Sequence, residues 1–171
     1  MSVTGTVSAS FQGADIRTVG ANSNANIPVN IQFATAFTTG TGALGVQVLF
    51  QQNYTLSGTT QTLDLFTGLA DNYGTAVVLA VVKGIAIYNG SVVGNVYTPS
   101  LNSIVVGNAA SNPWNTFLSS TGTLTFNAGD WIVAATPSAT GWAVGTSTNV
   151  NLLVTGTSGQ PFYVALLGTG T

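Results

Sequence analysis

The chain has 171 residues, 45% of them hydrophobic and 4% charged, with 21 glycines, no cysteine, no histidine and a net charge of −2. Disulfides and thiolate or imidazole metal sites are therefore excluded. Two basic residues cannot neutralise the row of phosphates on which nucleic-acid affinity rests, nor hold the chain to an anionic membrane surface. The length predicts one domain, residues 1–171, with enough buried surface to need no covalent staple.

In chain order, Met1–Gly5 has neither a basic nor an apolar leader segment, so synthesis in a cytoplasm without export is expected. Residues 1–25 read as an extended N-terminal arm. Period-two alternation then begins at Ile27, Val29, Ile31 and Phe33 and recurs at Leu44, Val46, Val48 and Phe50. Leu63 and Leu65 alternate with Thr62 and Asp64. Val77, Leu79, Val81, Ile85 and Ile87 keep the same period across Lys83, and the valine pairs there favour strand over helix. The most apolar stretch, Ala76 to Val82, is far below the ~20 residues that span a bilayer. Tyr88-Asn89-Gly90-Ser91 carries the signal of a two-residue type I′ hairpin, because Asn-Gly accepts positive φ. Further strands are predicted over residues 102–106, 121–126, 131–134, 142–144, 151–154 and 162–167. Short β-branched runs punctuated by Gly-rich turns predict an all-β, antiparallel, jelly-roll-like sandwich of about eight to ten strands.

The residues that run reactions are scarce. The charged side chains are Asp15, Arg17, Asp64, Asp71, Lys83 and Asp130. Serine and threonine abound, but no histidine stands ready as base, and no Gly-x-Ser-x-Gly elbow occurs. No aspartate spacing fits a calcium loop, and the lone lysine is not in a phosphate-binding loop. Asp64 and Asp71 are the nearest carboxylates; the plainer reading puts one on a strand and the other at the head of an Asx turn. No catalytic residue, metal ligand or cofactor is predicted, and the chain is expected not to be an enzyme.

Interaction residues are the remaining possibility. Trp131 and Trp142 lead apolar strand runs and read as core, whereas Trp114, after Asn112-Pro113, reads as a loop ring free to stack on a sugar. Arg17 either pairs with Asp15 in solvent or forks onto a neighbour's carboxylate. A nearly uncharged surface favours association, so a homotrimer is expected, with Val78, Val82, Val92 and Val93 as contact candidates.

Several segments carry a resemblance: Leu63-Asp64-Leu65, then Gly68-Leu69-Ala70-Asp71-Asn72-Tyr73-Gly74 and Val105-Val106-Gly107-Asn108-Ala109-Ala110-Ser111-Asn112-Pro113. Ala128-Gly129-Asp130, Pro137 to Val144 and Tyr163-Val164-Ala165-Leu166-Leu167-Gly168 follow in the same order. Together, over residues 60–168, they resemble small virion-associated structural proteins of tailed bacteriophages. The resemblance implies a capsid decoration or cement protein located on the virion, with the major capsid protein or another virion protein as partner. A receptor- or glycan-binding module of a tail or fibre, anchored on Trp114, and another shell or tail subunit are its alternatives.

Overall fold

A computed structural model describes residues 3–18, 24–71 and 73–170, and for residues 11, 13–18 and 24–29 it gives the backbone course alone. All regular structure among them is strand. The strands are β1 Gly5–Thr18, β2 Asn24–Thr39, β3 Gly45–Val46, β4 Val48–Thr55, β5 Thr60–Asp64, β6 Leu69–Ala70, β7 Ala76–Val77 and β8 Val81–Tyr88. They continue as β9 Gly90–Val93, β10 Val96–Pro99, β11 Ile104–Gly107, β12 Thr123–Phe126, β13 Trp131–Ala135, β14 Trp142–Ala143, β15 Asn151–Thr155 and β16 Pro161–Thr169.

Two antiparallel sheets form a sandwich. One is five-stranded, in the order β13-β8-β16-β4 with β14 also on β8; the other is four-stranded, in the order β12-β11-β15-β5. Alternation sorts the side chains. Phe162, Val164 and Leu166 of β16 face inward with Ile85 and Ile87 of β8, and Leu152 and Val154 of β15 meet them with Ile104 and Val106 of β11. Of the eight strands of these two sheets other than the two-residue β14, only β11 and β12 are chain neighbours within one sheet. Every other step, from β4 through β5, β8 and β11 and from β12 through β13 and β15 to β16, crosses between sheets.

The β1–β2 hairpin is the third element. Its register runs from Gly5↔Phe37 to Thr18↔Asn24, roughly 45 Å at ~3.4 Å per residue. Its base is tied to the sandwich. Phe37, Val3 and Val46 pack with Leu167 and Val7, and a Cβ on Gly84 would lie 2.9 Å from the Val7 methyl. Only glycine lets the arm lie this close to the sheet.

The predicted Asn89-Gly90 turn is corrected. β9 pairs with β10, Val93 opposite Val96, so the two-residue turn is Gly94-Asn95, whose φ values of 55° and 66° suit type I′. Asn89 is instead buried. Its amide donates to the carbonyls of Asn102 (2.8 Å), Phe126 (3.0 Å) and Asn127 (2.8 Å), and its Oδ1 accepts from Ser100 Oγ (2.6 Å) and Gln160 Nε2 (3.0 Å). The polar side chain that would favour a turn is spent joining strand ends.

Candidate interaction surface

Each described carboxylate is engaged by its own turn. Asp64 accepts from the Phe66 and Thr67 amides (2.9 and 3.0 Å) and the Thr67 hydroxyl (2.6 Å). Partial burial works against its charge, but these donors outweigh it and hold the carboxyl below its usual range. Asp71 accepts from the Tyr73 and Thr75 amides (2.9 and 2.8 Å), and Asp130 from the Asn127 amide (2.7 Å). Asn72 lies outside the described residues. Among the described residues no group of three or more His, Cys, Asp or Glu could hold a metal ion. Among the described residues no helix is long and apolar enough to cross a membrane.

Lys83 is fully buried. The pairing of β16 with β8 skips it, Leu167 facing Gly84 and Gly168 facing Val82, and this bulge turns the side chain toward the 40–44 loop. Its ammonium donates to the Gly42 carbonyl and, at 3.3 Å, to that of Ala43. Desolvation lowers its pKa. It is a strut for the loop beneath the arm.

The predicted interaction residues fare unequally. Trp114 is 3% exposed, so the sugar anchor placed there is overturned. The ring stacks on Phe117 at 5.5 Å and its Nε1–H donates to the Ala143 carbonyl at 3.0 Å. The Asn112-Pro113 turn, with Asn112 at φ 49°, directs it into the open end of the sandwich. Val82 is likewise core and unavailable to a partner. Val93 is exposed while Val92 and Val78 are half-buried. Arg17 pairs with Ala25 along the backbone; its side chain and that of Asp15 lie outside what is described.

Two groups of solvent-facing apolar side chains were not singled out by the sequence. On the arm, one face carries Phe37, Thr35, Phe33 and Ile31 in succession. Phe37 is buried at the base, whereas Phe33 is 69% and Ile31 44% exposed further out. On the sandwich, Trp131 is 61% and Tyr97 65% exposed, which corrects the core reading of Trp131 at the head of the Ile132-Val133 run. Ile132 and Ala134 take the inner face instead. Both faces of β13 are apolar, so period alone could not choose between them.

No protein-family model matches this chain, and no curated protein or solved structure matches it.

Proposed function

We propose that the protein is a non-enzymatic virion structural component, a decoration or cement protein that assembles as a closed homotrimer and binds the head lattice formed by a phage's major capsid protein. The arm carries this reading. Its apolar face is continuous with the interface that already holds Phe37 and Val7 to Leu167, and it runs on into solvent at Phe33 and Ile31. Two exposed large apolar side chains on a long strand pair are an unpartnered surface, best covered by another copy. β1 is also a free edge, bonded on one side only, so its open backbone groups favour strand addition.

Strand order supports the same reading. Of the seven connections among the eight strands β4, β5, β8, β11, β12, β13, β15 and β16, only β11–β12 stays within a sheet; we read this alternation as a jelly roll, an architecture that recurs in viral capsid domains and in lectins. An arm of one copy lying on the body of the next makes a heterologous contact, which closes into a ring when the rotation allows. Many such contacts on a repeating lattice bind by avidity without strong single sites. Cryo-electron microscopy of the parent particle tests the proposal. Copies arranged in threes over the head are expected; copies confined to the tail, or absent from the particle, overturn it.

A further inference from the structure

The outer face of the five-stranded sheet has a topography that cross-strand register makes explicit. Asn53, Tyr163, Tyr88 and Trp131 stand directly opposite one another across four strands. The next row is Gln51, Ala165, Ala86 and Val133, and the third, under the arm's base, is Leu49, Leu167, Gly84 and Ala135. A row of large rings beside a row with two alanines leaves a trench. Tyr97, carried on the β9–β10 hairpin, overhangs it. The resulting groove, of about 540 Å³, is lined by Ala86, Tyr88, Tyr97, Trp131, Val133 and Tyr163 among others. On the far side of Tyr97 and Tyr163 lies a second hollow of about 360 Å³ containing Gln51, Gln52, Asn53 and Asn95.

The rings are fixed before any ligand arrives. Tyr97 meets Tyr88 edge-on, with centroids 5.7 Å apart and an 85° interplanar angle. Its hairpin is clamped to β4 by Asn53, whose amide donates to the Val92 carbonyl (2.7 Å) and whose Oδ1 accepts from the Val92 amide (2.8 Å). The Tyr163 hydroxyl donates to Gln51 Oε1 at 2.9 Å, leaving the Gln51 Nε2 hydrogens for an incoming acceptor. Among the described residues, no charged side chain lines the groove or the amide hollow. Burial, and then the Tyr97 phenol, push the Tyr163 pKa up, so the site stays neutral at physiological pH.

We propose that this groove is a carbohydrate-binding site for a neutral hexopyranose, its apolar C–H face stacked on Trp131 and its hydroxyls bonded by the phenols of Tyr88, Tyr97 and Tyr163 that line the same groove. Exposed rigid rings flanked by amides suit a ligand with one apolar face and a polar rim. The absence of any lining charge argues against phosphorylated or acidic sugars. A terminal residue of a glycan fits a hollow of this size, since small-molecule sites span ~300–1,000 Å³. The inference does not rest on the assembly reading.

Tryptophan emission reports on the site directly, because Trp131 is the one exposed tryptophan of three. The assembled protein is titrated with methyl glycosides of glucose, galactose and mannose and with N-acetylglucosamine to ~50 mM, enough to saturate a site with Kd near 1 mM. A saturable blue shift with at least one sugar is expected. It should vanish in Trp131→Ala, weaken about tenfold or more in Tyr97→Ala, and persist in Tyr73→Ala, an exposed ring outside the groove. Circular dichroism and melting of each variant verify that the fold is retained. Failure of every sugar to give a saturable shift overturns the proposal, as does binding that survives Trp131→Ala. Acrylamide quenching supplies a separate readout. A Trp131 shielded in the assembly but exposed in an arm variant that is monomeric would make the groove a subunit contact and overturn the sugar site.

Discussion

Replacing Phe33 and Ile31 together by threonine tests whether the arm holds the assembly. Threonine keeps the strand preference of the site while removing most of the apolar surface. Full burial of a side chain of this size contributes ~1.5–3 kcal/mol. With Phe33 69% and Ile31 44% exposed, about two thirds and two fifths of that gain remain for a partner to supply. The double variant should therefore weaken each arm contact by roughly 2–3 kcal/mol, about 30- to 150-fold. A closed trimer contains three such contacts, so its association midpoint should rise about 10²- to 10³-fold.

Sedimentation velocity or native mass spectrometry over a concentration series reads this shift. The monomer itself should be little affected, within ~0.5 kcal/mol, because both side chains are on an open surface. Raising ionic strength from ~0.1 to ~1 M should shift the midpoint little, since salt screens charges and the arm carries only Asp15 and Arg17. A wild-type chain that stays monomeric at micromolar concentration refutes the reasoning. So does an unchanged midpoint in the double variant.

Asn89→Ala removes about four hydrogen bonds at the buried strand junction and should cost ~4 kcal/mol in urea unfolding at constant m. Asn89→Asp should be worse at neutral pH, where a carboxylate would face three carbonyls, and should recover as pH falls toward ~4 and the buried acid protonates. Asp64 has its pKa lowered in the fold, so its contribution is present above the unfolded value of ~3.9 and is lost as pH falls through the lower folded value; Asp64→Asn should lower the melting temperature at neutral pH and flatten the acid limb of a melting series. Gly94→Val places a β-branched residue at φ 55° and should cost ~1–2 kcal/mol, whereas Asn95→Gly should be tolerated.

Period-two alternation reported the sandwich well, because strands such as β15, with Leu152 and Val154 inward, bury one parity of side chain and little else. The Asx reading of Asp71 was legible for a similar reason: its bonds to the Tyr73 and Thr75 amides are local. What depended on distant partners was not legible. Asn89-Gly90 has the composition of a turn, yet the carbonyls that claim the Asn89 side chain come from residues 102, 126 and 127. Trp114 follows a loop signal and still plugs the core, while Trp131 follows a strand signal and faces solvent. The arm's exposed face was hidden too, since Ile31 and Phe33 show the same alternation as strands whose apolar side is buried. In each case the deciding information is register between strands far apart in sequence, which composition and period do not carry.

The two outer faces of the sandwich are an internal control on the meaning of the aromatic row. Across the four-stranded sheet, Thr60, Thr155, Val105 and Thr125 stand opposite one another. Threonine there satisfies strand preference and hydration together without any charge. The same chain, with the same shortage of charge, places Asn53, Tyr163, Tyr88 and Trp131 across the equivalent row of the other sheet. Threonine would have served that row equally well if solvation were its only requirement. The arm's base covers Gly84 and Leu167 but leaves Trp131 and Tyr97 exposed, so these two rings are not satisfied by the chain's own packing. Exposed rings held by Asn53 and Tyr88 lose little freedom on binding, which is where a rigid aromatic gains over a flexible aliphatic. The cost of keeping Trp131 and Tyr97 in water is repaid only when a ligand covers them, and the neutral lining selects one that brings hydroxyls rather than charge.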